Sequence, residues 1–375
     1  MLRPTYALLD QVTYRSKSAT TILGISDTSL RNNLKEAGLE VPRANSTNPN
    51  SPAVRQFSVQ DIFKLVEWRR NQGLVKKLSR TPICIATAIN KGGTGKSTTS
   101  AEIGIQLALD GYKVLLIDLD VQSNATQLFG YESDFSLEEA EANGLSPEAI
   151  VQTTFRDVIR SYCDARNTRA GKMPDMSSAI KKPFGEAGPS LIPADSFLND
   201  LEQSLVLERG NRELVFKSFF QDSAEGKIPG FNINDYDFVI FDCPPSNQFS
   251  SLNAIAAADL VIAPLKMDSF GIKGMSHLIS EINGLSQRMP DIHPDLLILP
   301  THYSTQISRV ARMQSQLQAY KDNLSETVIS ASELFPKSQE NYMPLTLQSP
   351  SAPGVAEYRQ VTNYIVAKYL KKDAK

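Results

Sequence analysis

Cysteine is scarce in this chain of 375 residues, and its three copies, Cys84, Cys163 and Cys243, have neither metal-site nor redox spacing. That excludes a disulfide framework and fits ordinary thiols of a reducing compartment. Long apolar runs are missing too: none approaches the ~18 uninterrupted residues that a bilayer crossing needs. Arg3, Pro4 and Asp10 stand where a secretory signal would carry its apolar core. The expected location is cytoplasmic. Charge of one sign is not in excess, since the formal net charge is −2, so any contact with nucleic acid has to come from local basic patches. The sequence has no internal repeat or low-complexity tract. What remains is a globular composition, 41% hydrophobic and 21% charged, in a length that suits two or three domains of ~100 to 200 residues.

The chain divides near Pro82. Before it, Ala19, Ile22 and Leu23 recur at helical spacing, Gly24-Ile25-Ser26 interrupts, and Leu30, Leu34 and Ala37 resume behind Ser26 or Asp27 as N-cap. This predicts a helix, a tight turn and a second helix. The polar stretch Val41 to Pro52 reads as a loop. A third helix starts at Ser58, which forms a capping-box pattern with Asp61, and runs towards Gly73. Residues 1–80 are thus expected to form a small all-α unit. Beyond Pro82, short apolar runs alternate with helical patterns: Ile83 to Ile89, Val114 to Leu119, Leu191 to Pro193, Phe238 to Phe241, Leu260 to Leu265 and Leu296 to Leu299. Runs of this kind predict strands buried on both faces of a doubly wound, mostly parallel α/β sheet over residues 81–375. The longer, more polar region near 131–189 is expected to be a peripheral insertion with helices.

The first run leads into Asn90-Lys91-Gly92-Gly93-Thr94-Gly95-Lys96-Ser97-Thr98, and a helical pattern follows through Ile103, Leu107 and Ala108 to Gly111. Strand, glycine loop and helix N-terminus in this order suit a phosphate: glycines let backbone N–H groups converge on its oxygens, and the helix end adds partial positive charge. Lys91 to Thr98 are therefore the candidate ATP-binding residues. Lys96 would neutralise the β- and γ-phosphates and Ser97 would ligate Mg2+. Asn90 stands where the ordinary loop has its first glycine, and Lys91 follows it.

That departure, Lys-Gly-Gly-Thr-Gly-Lys-Ser, resembles the deviant Walker A motif of the ParA/MinD group of P-loop ATPases. The resemblance implies a nucleotide-sandwich homodimer in which Lys91 reaches the partner's ATP as a cation supplied in trans. A solvated loop lysine is the alternative. Leu115 to Thr126 is similar to the family's second motif, which implies that Asp120 positions the attacking water and Asp118 supports the magnesium and phosphate region. Val121 and Ser123 stand where the family often has Pro and Gly. Phe238 to Ser246 resembles the Walker B strand, with Asp242 holding Mg2+ through water, although a carboxylate there can also cap a helix. Ser190 to Ala194, Leu252 to Ala254 and Val261 to Pro264 also resemble ParA segments. The likeness runs roughly from Thr81 to the C-terminus and fades between Tyr131 and Pro189. Lys91, Lys96 and Asp120 are the catalytic candidates, and Ser97, Asp118 and Asp242 those for the metal. The family recognises adenine with a variable loop, here near Pro300 to Tyr303.

Cys84 and Cys243 belong to strands, which argues against the iron–sulfur member of the group. The tail with Tyr358, Val361, Tyr364 and Ile365 is amphipathic, which leaves a MinD-like membrane-associated positioning ATPase as one alternative. The N-terminal unit resembles a MerR-like helix-turn-helix domain, common in large partition ATPases. Its second helix would offer Thr28, Ser29, Arg31, Asn32 and Lys35 to DNA. A structural cap or dimerisation arm is the other reading. The resemblance then implies a DNA-partition ATPase whose ATP-bound dimer binds DNA nonspecifically through basic residues, for which Arg309, Arg312, Lys337, Arg359, Lys368 and Lys371 are candidates. It also implies a ParB-type centromere-binding partner, a specific operator for autoregulation, and a nucleoid location. An ATP-gated transcriptional repressor is the remaining alternative.

Overall fold

The computed structural model describes residues 2–44, 53–168, 171–208, 210–245, 248–266, 269–304 and 318–371. The N-terminal unit comprises β1 (Thr13–Tyr14), α1 (Ser16–Leu23), α2 (Asp27–Ala37), β2 (Arg43–Ala44), β3 (Val54–Arg55), β4 (Phe57–Ser58) and α3 (Val59–Asn71). Gly24 closes α1 in the left-handed region at φ 61°, and the Ser26 hydroxyl caps α2 by accepting from Ser29 N at 3.1 Å. Ser58 and Asp61 form the expected capping box of α3. The unit is not helical throughout, however: β1 pairs with β4 and β2 with β3, both antiparallel. Pairs this short leave no periodicity in a sequence.

The rest of the chain follows as β5 (Ile83–Thr87), α4 (Lys96–Leu109), β6 (Val114–Asp118), α5 (Asn124–Leu128), α6 (Leu137–Ala142), α7 (Phe155–Asn167), β7 (Ser190–Ile192), α8 (Asn199–Leu207) and α9 (Val215–Ala224). Then come β8 (Phe238–Asp242), α10 (Phe249–Ala257), β9 (Leu260–Lys266), α11 (Ser269–Arg288), β10 (Asp295–Thr301), α12 (Leu334–Glu340), α13 (Leu345–Gln348) and α14 (Pro353–Tyr369). All six apolar runs are strands of one parallel sheet in the order β10-β9-β5-β8-β6-β7. Alternate side chains serve separate cores. Ile83, Ile85, Leu116 and Ile240 join one cluster with α4 and α14, whereas Cys84, Ala86, Ile117 and Phe241 join another with α7, α9 and α10. Burial on both faces explains why these runs are uniformly apolar. The β5 to β6 crossover passes over β8, so the carboxyl ends of these strands open the crevice in which ligands of such sheets bind.

The N-terminal unit shares the first core. The Phe63 and Phe184 rings stack at 5.9 Å, and Tyr6 stacks on Tyr342 at 5.2 Å. Tyr14 donates its hydroxyl to the Leu347 carbonyl at 2.6 Å. Arg70 Nε donates to the Gly111 carbonyl at 2.6 Å, at the far end of α4. The amphipathic tail helix α14 spends its apolar face inside the fold: Tyr358, Val361 and Ile365 are buried and Tyr364 is exposed. Among the described residues no helix is long and apolar enough to cross a membrane.

Candidate nucleotide site

Between β5 and α4 the chain turns through Gly93 and Gly95 at φ 66° and 88°, where a side chain would be strained. No side chain caps α4, so its first N–H groups face the cleft open to an anion. Lys96 is buried there and donates from Nζ to the Lys91 carbonyl at 2.9 Å. Burial lowers the proton affinity of its amine, and Asp242 and Asp120 oppose that shift. The ammonium is thus poorly solvated and suited to exchange the carbonyl for a stronger anionic partner.

Adjacent strands deliver two carboxylates side by side, for Asp118 on β6 and Asp242 on β8 are register partners and both are fully buried. Their surroundings separate their roles. Asp118 Oδ1 accepts from Asp120 N at 3.0 Å, and Oδ2 accepts from Thr126 N at 2.9 Å and Thr126 Oγ1 at 2.8 Å. Burial pushes its carboxyl up to about 7 against these bonds. Asp118 therefore braces the loop that carries Asp120. Asp242 Oδ1 accepts from Ser100 Oγ at 3.1 Å and the Ser97 hydroxyl also acts on the carboxylate, but the buried Oδ2 has no well-formed hydrogen bond among the described residues. Burial first, and Asp118 next, raise its proton affinity well above the usual carboxylate range. An unpartnered buried acceptor costs about 1–3 kcal/mol, which a metal-bound water would offset. The residues thus fit Mg2+: no three His, Cys, Asp or Glu side chains among the described residues could cage a metal, so an ion here would combine Ser97, Asp242 through water, and phosphate oxygens.

The cleft encloses about 440 Å3. Gly92 to Thr98, Asp120, Gln122 and Asn124 line one side, and Thr301, His302, Ser330, Phe335, Gln339 and Tyr358 the other. Thr301 Oγ1 donates to the Thr94 carbonyl at 2.8 Å and ties the walls together. Asp120 Oδ1 accepts from Gln122 N at 3.0 Å. Ser123, where the family often has glycine, sits at φ 53° as N-cap of α5. Thr301, the last residue of β10, and His302 bring the stretch expected near Pro300 to Tyr303 to the cleft; Ser330, Phe335, Gln339 and Tyr358 belong to no motif.

The basic and polar candidates for DNA scatter. Thr28, Arg31, Asn32 and Lys35 lie exposed on α2, with Arg31 paired to Asp27 at 2.6 Å, and Ser29 is half-buried against Ser26. Lys337 is exposed on α12 and Lys371 at the chain's end, whereas Lys368 pairs with Asp295 at 3.0 Å. Arg359 pairs with Asp110 at 2.6 Å and donates to the Ile22 carbonyl at 3.0 Å, which joins α14 to the end of α4 and to α1. Arg309 and Arg312 lie outside the described residues.

Residues 83–296 match the family described as AAA domain. The chain is similar to the sporulation initiation inhibitor protein Soj of Bacillus subtilis, 27% identical over 287 residues that cover 76% of this chain and 98% of Soj. It is also similar to the chromosome partitioning protein ParA of Caulobacter vibrioides, 26% identical over 302 residues covering 80% and 99%. Its fold matches the crystal structure of cobyrinic acid a,c-diamide synthase from Mycobacterium smegmatis with bound ADP and magnesium at a TM-score of 0.54, with 24% identity over 79% of this chain and 100% of that one. The match takes in β5, the phosphate loop, the Asp118 and Asp120 loop and the Asp242 strand, and by it this chain belongs to the AAA domain family as a P-loop ATPase of the ParA/MinD type.

Proposed function

We propose that this chain is an ATP-hydrolysing DNA-partition switch. The observation that carries the reading is one cleft holding both the Gly92 to Thr98 stretch of the loop and Asp120. The loop and the open end of α4 bind the triphosphate, with Lys96 released from the Lys91 carbonyl onto the β- and γ-phosphates. Mg2+, held by Ser97 and through water by Asp242, would neutralise charge that develops on the phosphates. Asp120, steadied by Gln122 N and by Asp118, orients the attacking water. Lys91 crosses a homodimer to the partner's ATP. Relatives named for chromosome partitioning support DNA as the track on which that dimer acts. The ATP-bound dimer holds DNA without sequence preference, by phosphate contacts that weaken with salt. A ParB-type protein stimulates hydrolysis and resets the cycle on the nucleoid. The exposed row on α2 supports operator binding by residues 1–80 for autoregulation.

The test is ATP hydrolysis by wild type, Lys96→Ala and Asp120→Ala, each with and without nonspecific DNA, beside DNA retention at rising salt. The expected result is slow wild-type turnover that DNA accelerates, an Asp120→Ala protein that stays on DNA with ATP, and a Lys96→Ala protein that never binds. Absence of any mutual effect of DNA and ATP refutes the partition mechanism.

A further inference from the structure

Glu102 lies on α4, six positions past Lys96, and only 1% of it is exposed. A carboxylate in such a place is rare unless something demands it. Its Oε1 accepts from Leu345 N at 2.6 Å, and its Oε2 accepts from Thr346 N at 3.1 Å and Thr346 Oγ1 at 2.6 Å. Against an ionised carboxylate the Thr346 hydroxyl is the donor, and its oxygen is left to accept from a neighbour. Gln106 Nε2 faces the Val355 carbonyl at 3.1 Å, which can only accept, and the same nitrogen donates to Thr346 Oγ1 at 3.0 Å. The ionised carboxylate therefore satisfies all three donors, whereas an amide would turn its NH2 on the Leu345 or Thr346 backbone N–H.

What Glu102 grips is the arm that closes the cleft. Ile329 to Glu333, Phe335, Pro336 and Gln339 line the cavity, and α13 with Leu345 and Thr346 follows directly. The other fastenings of this arm are neutral or lie nearer the surface: Gln339 Nε2 donates to Gln127 Oε1 at 3.0 Å, and Ser330 N donates to Glu357 Oε2 at 2.8 Å.

We propose that Glu102 is a positioning residue for the nucleotide, clamping the 329–348 arm to the phosphate-loop helix and so setting how tightly the cleft holds ATP without touching it. This rests on the ATP reading above. Burial raises the Glu102 carboxyl to about 7, so near neutral pH a proton on Oε1 displaces the Leu345 N–H and one on Oε2 reverses or weakens the bonds to Thr346. The groups acting on it are the Thr346 hydroxyl and the Leu345 and Thr346 amides of α13, and the Tyr358 phenol of α14, which feels its charge.

The experiment compares wild type, Glu102→Gln and Thr346→Val in binding of ATP and in steady-state hydrolysis at pH 6 and pH 8, with circular dichroism to establish folding. At pH 8 the Glu102→Gln protein should show a KM raised roughly tenfold with kcat within about twofold, the size of an ordinary coupling between a site and its support. Thr346→Val should move KM in the same direction. Wild type should lose affinity between pH 8 and pH 6 by a step that Glu102→Gln lacks. A folded Glu102→Gln protein with wild-type KM and pH profile, or one in which kcat falls and KM does not, overturns the proposal. Should Glu102→Gln fail to fold, Thr346→Val decides by the same two readouts. Wild type that binds no ATP refutes the nucleotide reading itself, a different result from all of these.

Discussion

Arg359→Met tests whether this arginine serves as a structural joint or as a DNA contact. The substitution keeps most of the aliphatic stem and removes the guanidinium. Arg359 and Asp110 are 20% and 25% exposed, and burial already raises the Asp110 carboxyl, with Arg359 the largest opposing influence. Breaking a fully buried pair by removing one partner costs ~3–5 kcal/mol. Partial exposure brings the expected loss to about 2–3 kcal/mol, because water can reach the stranded carboxylate. The Ile22 carbonyl loses its donor in the same stroke. With a urea slope of about 2.5 kcal/mol per molar, the unfolding midpoint should fall by roughly 1 M. Adding Asp110→Asn should restore about half of that, since the buried charge is gone. Retention on nonspecific DNA should stay as in wild type. An unmoved midpoint together with weakened DNA retention would refute the argument and return Arg359 to the DNA surface.

Ser123→Gly should stabilise the protein by about 0.5–1 kcal/mol, since glycine adopts φ 53° without strain; a lower melting temperature would count against it. Thr301→Val removes the bond to the Thr94 carbonyl and should raise KM for ATP about fivefold, the kinetic equivalent of about 1 kcal/mol. Burial pushes the folded Glu102 carboxyl up to about 7 from its ordinary 4.5 and outweighs the donors that hold it, so forming the ionised clamp costs global stability as pH rises from about 4.5 through 7. Wild type should therefore lose a few kcal/mol relative to Glu102→Gln between pH 4.5 and pH 8, read from urea midpoints.

The sheet and the phosphate loop were legible because their signals are local. An apolar run such as Phe238 to Phe241 states its own burial, and Lys91 to Ser97 states its own backbone needs. The N-terminal helices were legible through caps at Ser26 and Ser58. What stayed hidden depends on distant partners. Arg359 shows its charge in the sequence and not the Asp110 and Ile22 that occupy it. Glu102 reads as a helix-surface acid until the donors of Leu345 and Thr346 arrive from 243 and 244 positions away. On the far wall of the cleft, Phe335 and Gln339 stand one turn apart on the short α12 and Ser330 precedes it, a stretch too brief for its period to stand out in the sequence.

The joints between the two ends of the chain also bear on how the protein is made. Tyr14 meets Leu347 across 333 positions, and Ile22 meets Arg359 across 337. During synthesis at ~5–20 residues per second, residues 1–80 leave the ribosome well before the partners that complete their packing. For that interval α3 has no α4 to rest on, and the Ile22 carbonyl of α1 lacks the Arg359 donor of α14. A stop codon before Arg359 would leave the Ile22 carbonyl without that donor and would uncover α4, on which α14 packs, so C-terminal truncations should loosen the joint between the two ends of the chain and expose it to proteolysis.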